Sequence, residues 1–197
     1  MTVFGPIFVA STLEEAVIDL LKEWFPTYLR NMETILELPV GKLVGPRVYT
    51  NRNSFDAIPG DDMPLCVVIS PGLQEEPETY ERGRYTACWS LGVGIAIAAE
   101  TEVLANKLAK IYGACARAIL LHNQDINGLA TRVDWLDENY DDLPIEDQLM
   151  QYRAAGIYFS VDVEDAVHKY IGPAEPDQDP YDPLGQVQDV IVDVGRL

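Results

Sequence analysis

Histidine, cysteine and positive charge are all scarce in this chain. Only His122 and His168 occur in 197 residues, and neither has a second ligand at metal-site spacing, so capping or surface roles are expected of them and zinc is not. The cysteines, Cys66, Cys88 and Cys115, are odd in number, far apart and each set in an apolar segment. That predicts buried free thiols in a reducing cytosol, not a disulfide frame. Lys and Arg total 14 against 32 Asp and Glu, a formal charge of -18. Such a chain lacks the clustered cations that hold nucleic-acid phosphates. No run of about 18 apolar residues occurs, and no basic region precedes an apolar stretch at the N-terminus, so neither a membrane span nor a signal peptide is expected. Repeats with periods of about 20–50 residues are missing too, which excludes solenoids.

What is present is a globular composition, 48% hydrophobic and 23% charged, long enough to bury one sizeable core. Its most informative stretch is 85–99. Tyr85, Ala87, Trp89, Leu91, Val93, Ile95 and Ile97 alternate with Thr86, Cys88, Ser90, Gly92, Gly94, Ala96 and Ala98. Successive strand residues face opposite ways, so this predicts one long strand with a bulky apolar face and a face of very small residues. About 15 residues at ~3.3 Å each span ~50 Å, which implies that part of the strand projects from the core or is covered by another chain.

Around it, Ser11 with Glu14 and Thr12 with Glu15 fit capping boxes, predicting a helix from about Thr12 with Leu13, Val17, Leu20, Leu21 and Phe25 on its apolar stripe. Pro26 kinks it or starts a second helix. Residues 47–50 predict a short strand. The run Leu65, Cys66, Val67, Val68, Ile69 predicts a central strand covered on both faces and ended by Pro71 and Gly72. Residues 73–84 read as an exposed polar loop or hairpin arm. Thr101 is the expected N-cap of a helix reaching His122. Then come a strand over 129–135, an acidic loop over 137–147, and a second alternating strand over 151–163. Residues 172–186 are rich in Pro, Asp and Gly and read as an extended arm, with a last short strand over 187–194 that could pair with another subunit. The expected fold is α+β: a mainly antiparallel sheet with two main helices packed on one face, a projecting hairpin arm and an extended C-terminal tail. One domain covers 1–171, and the arm 172–197.

Reactive chemistry finds little purchase. Gly92-Val93-Gly94 superficially fits a dinucleotide fingerprint, but Ile97 stands where the third glycine belongs and the strand alternation runs through both glycines, so they belong inside the strand. Asp134, Asp137, Glu138, Asp141 and Asp142 lack the glycine and final glutamate of a calcium loop. No Gly-x-Ser-x-Gly occurs. No catalytic, cofactor-binding or metal residues are therefore expected, and no enzyme. From Asp134 onward about 16 acids face only Arg153, Lys169 and Arg196, a solvated surface, one that meets a basic partner, or the charge of a DNA-mimicking inhibitor. Tyr80, Tyr140, Tyr170 and Tyr181 lie in polar segments where burial within one subunit is not expected, and tyrosines are enriched in interfaces. With Arg82 and Arg84 in the arm and Val190 and Val192 in the last strand, they form the candidate interface set.

The opening helix from Ser11-Thr12-Leu13-Glu14-Glu15-Ala16-Val17, the polar arm before a long strand, the helix 101–122 and the final alternating strand 152–163 together resemble the tail terminator, or tail completion, proteins of long-tailed bacteriophages. The resemblance covers about residues 8–168 and is architectural; the tail after Gly172 departs from the smaller members. It implies a virion protein at the head-proximal end of the tail, assembled in the host cytoplasm. Such a protein forms a homo-oligomeric, hexameric ring that caps the tail tube, ends its polymerisation and offers a surface to the head connector or stopper. DNA would pass through the channel without being specifically bound, and no membrane or cofactor is implied. A head-closure or head-tail adaptor protein of the neck is the alternative within that class. A small nucleotide-binding enzyme is the more distant one.

Overall fold

The computed structural model describes residues 9–51, 62–81, 84–143 and 150–164. Its elements are α1 (Ala10–Ile35), β1 (Val48–Thr50), β2 (Leu65–Leu73), β3 (Glu78–Glu81), β4 (Arg84–Ala99), α2 (Glu102–His122), β5 (Arg132–Asp142) and β6 (Gln151–Glu164). The fold is α+β, as the sequence implies. The strand order is β1-β2-β4-β6-β5; β1 runs parallel to β2 and the other pairs are antiparallel. β3 pairs with the start of β4, so β2 and β3 lie end to end along one edge of it. The long strand is where the alternation places it. Its length, however, is matched inside the subunit, since 86–99 of β4 pair residue for residue with 151–164 of β6.

Four local expectations are corrected. No capping box opens α1: the helix begins at Ala10 with Val9 before it and no side-chain cap. Glu14 is instead buried, its carboxylate accepting the Ser70 backbone N–H at 2.7 Å and the Asn51 amide at 3.2 Å, because a buried backbone donor is expensive to leave unpaired. Of the two readings of Pro26, a second helix is the one overturned, since α1 continues through it to Ile35. β2 continues past Pro71 and Gly72 through a bulge between Ile69 and Gly72, where Gly72 takes a φ of 132° that a residue with a Cβ rarely adopts. Finally, residues 137–142, expected in an acidic loop, are strand: β5 spans Arg132–Asp142, pairing out to Asp142 opposite Arg153.

Both helices lie on one face of the sheet. The bulky side of β4, Ala87, Leu91, Val93, Ile95 and Ile97, packs there with Leu13, Val17, Leu21 and Phe25 of α1 and Tyr112, Cys115 and Ile119 of α2. Thr101 caps α2 as its position predicts, accepting the Leu104 N–H. Tyr28 and His122 join the helices through a 2.5 Å hydrogen bond, which is the role of that histidine. Arg117 of α2 pairs with Glu138 of β5 and sits 4.6 Å from the centre of the Trp135 ring.

The loop after α1 is held by one carboxylate. Glu33 is buried and accepts the N–H groups of Leu43 at 2.7 Å and Gly41 at 3.0 Å. These donors, Leu43 first, hold its pKa below the ordinary 4.5. A carboxylate depressed in the folded state stabilises the fold above its unfolded pKa, and that contribution is lost as pH falls through the folded one. Chemical-denaturation midpoints are therefore expected to decline as pH drops below about 4.5, and to decline less in Glu33→Gln. Parallel curves for the two proteins would contradict this.

Candidate functional site

Because the helices cover only one side, the small-residue side of β4 faces away from them. Ser90, Gly92 and Gly94, with Gly156 opposite Gly94 on β6 and Ala154 two residues before it, form the floor of a trough of about 550 Å³. Val67 and Ile69 of β2 wall one side, and Leu136, Asn139 and Asp141 of β5, with Leu143 beyond, wall the other. At one end the face is closed by a small second core of Met63, Leu65, Val67, Ala96 and Tyr152.

The glycines set the depth. A Cβ at Gly156 would stand 2.5 Å from Asn139 Oδ1 and 3.0 Å from the Tyr158 hydroxyl, so both side chains use the space that a missing methyl leaves. A Cβ at Gly92 would lie 3.7 Å from the Tyr158 ring, which spans the floor while remaining 42% exposed. Leu136 enters the wall at the bulge between Trp135 and Asp137, the irregularity that turns an extra apolar residue toward the trough. The lining is mainly apolar, with Ser90, Asn139, Asp141 and Tyr158 as its polar members, and it can seat an apolar surface.

Gly92 and Gly94 therefore do not form a phosphate loop. They lie mid-strand, and α2 begins only at Glu102, so neither glycine places a phosphate at a helix N-terminus. Among the described residues no three His, Cys, Asp or Glu side chains converge to hold a metal ion, and no helix is long and apolar enough to cross a membrane.

The thiols are equally quiet. Cys66 and Cys115 are buried; Cys88 is only partly so, which departs from the expectation for that residue. Burial pushes the Cys66 thiol far up and that of Cys115 up to about 12, while burial and then Asp162 push Cys88 up to about 11. Since the thiolate is the reacting species, a disulfide reagent near pH 8 is expected to modify Cys88 slowly and the other two only after denaturation. Rapid labelling of all three in the native protein would contradict this.

Of the candidate interface set, the structure places three. Tyr80 and Arg84 lie in the β3–β4 hairpin. Tyr140 sits on β5 on the helix side: its hydroxyl donates to Glu138, Lys110 lies 5.8 Å from its ring centre, and burial, then Glu138, raises its pKa to about 12. The hairpin and Tyr140 meet β6 about nine residues apart, opposite Glu164 through Thr86 and opposite Ala155, which is ~30 Å along a strand, so the structure does not bring them together. Arg82, Tyr170, Tyr181, Val190 and Val192 lie outside the described residues. Leu136, Gly156 and Tyr158 were not foreseen. The signal for Gly156 and Tyr158 was the second side of the β6 alternation, Tyr152, Ala154, Gly156, Tyr158; Leu136 enters only through the β5 bulge, which the sequence does not mark.

No family model matches this chain, and no curated protein does. Among solved structures, a chain of the native gene transfer agent virion is similar over 66% of this chain and 90% of its own length, at 16% identity with a TM-score of 0.30. So loose a superposition carries no functional argument.

Proposed function

We propose that this chain is a structural subunit of a phage-type virion, one that forms a ring on the end of the tail tube, ends tube polymerisation and joins the tail to the head connector. The observation that carries this reading is a sheet whose second face is an open, glycine-floored and mainly apolar trough. Contiguous apolar hollows of this kind mark contact surfaces. The order of elements, with a helix before the sheet, a hairpin leading into a 16-residue strand and a second helix before two more strands, supports the same reading through its resemblance to tail terminators. The acid excess suits a channel wall along which DNA slides, since phosphates find no cations there.

The test is to add purified protein to polymerising tail-tube protein and follow tube length and end structure by negative-stain microscopy, with light scattering for mass. Shorter tubes with a ring at one end are expected. A chain that stays monomeric and leaves tube length unchanged would exclude the reading. Binding to connector protein but not to tube ends would move the assignment to a head-tail adaptor.

A further inference from the structure

Two surfaces of this subunit are apolar, opposite in charge and on different layers. The first is the trough, along whose β5 wall Leu136 is 51% exposed and Asp137 and Asp141 are exposed beside it. The second lies in the helix layer, where the loop after α1 meets the first turns of α2. Leu38, Lys42 and Leu43 of the loop and Leu104, Lys107 and Leu108 of the helix bound a groove of about 410 Å³, in which Glu100 is the one acidic lining residue against the two lysines. Tyr112 fastens that loop to α2 by donating to the Val44 carbonyl.

Two features set this groove apart. Val40, between Leu38 and Lys42, is 84% exposed, and Val103, next to Leu104, is 81% exposed; no other large apolar side chain among the described residues is more exposed. Single exposed apolar residues are ordinary, but these two flank a hollow already lined by leucines. The other feature is charge. In a chain with 32 acids and 14 cations, Lys22, Arg117, Arg132 and Arg153 have acidic partners, whereas Lys42 and Lys107, like Arg30 and Lys110, form no ion pair among the described residues, and of these four only Lys42 and Lys107 line the groove.

We infer that the lysine-bearing groove edge of one copy docks into the trough of the next, with Val40 and Val103 over the glycine floor and Lys42 and Lys107 against Asp137 and Asp141. This rests on the ring reading above and names its contact. A subunit cannot bring its own helix layer to its own uncovered sheet face, and the lysines of the one patch complement the aspartates of the other, so the occupant inferred is a second copy. The two patches differ, which makes the contact heterologous, the type that repeats head to tail and closes into a ring when the rotation allows. Strand addition along β5 is the competing geometry. It is disfavoured because that edge carries Asp134, Asp137, Asp141 and Asp142, and charged edge residues oppose pairing.

The experiment is a reciprocal charge reversal on the full chain, read by light scattering and sedimentation at low salt, with melting curves to confirm folding. K42E/K107E and D137K/D141K are each expected to weaken self-association on the order of a hundredfold, since like charges set face to face cost several factors of ten. An equimolar mixture is expected to restore it, because every contact in an alternating assembly is then complementary. Val103→Asp, at a side chain 81% exposed, should weaken assembly without lowering the melting temperature, and so keeps the inference testable if a double variant folds poorly. Wild-type-like assembly of K42E/K107E or Val103→Asp, or a mixture that stays apart, would overturn the contact while leaving the ring reading standing. A wild type that stays monomeric at every concentration would overturn the contact, and the ring reading with it only if tube length is also unchanged in the tube assay.

Discussion

Phe25→Ala is expected to lower the stability of the subunit by about 3–5 kcal/mol, the range for emptying a large aromatic site in a core. Phe25 is wholly buried in the last part of α1, one residue before Pro26. Its ring centre lies 6.3 Å from that of Tyr112 on α2, and Tyr112 in turn holds the following loop through Val44. One side chain thus joins α1, α2 and the loop. Pro26 removes a helical hydrogen bond at this level, so the helix there depends more on packing than on its own ladder. With a typical total of about 5–15 kcal/mol, a loss of that size removes a large share of the stability. For a chain of this length it corresponds to a fall in melting temperature of roughly 6–20 °C. Phe25→Leu, which keeps most of the volume, should cost less than about 1.5 kcal/mol. Denaturant titration separates the two, and an alanine variant within 1 kcal/mol of wild type, roughly the error of such comparisons, would show that α1 is not seated as described.

Residues whose side chains repeat at a fixed period were legible in advance. The alternation of 85–99 and 151–163 places β4 and β6, and Thr101 as the cap of a helix reaching His122 places α2, because period and cap are local properties that tertiary contacts here reinforce. What failed in each case was a local signal overridden by a distant group. Glu14 has the spacing of a capping glutamate, yet the Ser70 N–H, 56 residues away in sequence, takes it. Pro71 and Gly72 have the composition of a stop, yet pairing with Ser90 and Trp89 carries β2 through a bulge. Asp137, Glu138, Asp141 and Asp142 have the composition of a loop, yet β6 supplies them with a continuous ladder, and Arg117 and Arg153 partner Glu138 and Asp142. The candidate site shows the same division. The small-residue face of β4 was visible as a surface built for close packing. Its depth was not, because that arises where Gly156 lies beneath Asn139 and Tyr158, a meeting of two strands that no single stretch encodes.

Gly92→Val is expected to separate folding from assembly. Glycine inside a strand costs about 0.5–1 kcal/mol relative to alanine, and a β-branched residue suits a pleated surface. The site accepts the first added carbon, which would stand 3.7 Å from the Tyr158 ring and 3.8 Å from the Ile69 carbonyl oxygen, ordinary contact distances. The variant subunit should therefore melt at the wild-type temperature or a few degrees above it. Its isopropyl group, however, rises from the floor of the trough into the volume that a docked neighbour would fill. Overpacking of a fitted surface costs about 1–3 kcal/mol, so self-association should weaken roughly tenfold to a hundredfold, with Gly92→Ala falling between the two proteins. Most substitutions that impair assembly do so by unfolding the subunit. This one is expected to impair it while leaving the subunit as stable or more so, which ties the loss to the occupied trough. Unchanged assembly of a well-folded Gly92→Val protein would remove the trough from the contact and leave only the charged rim to be tested.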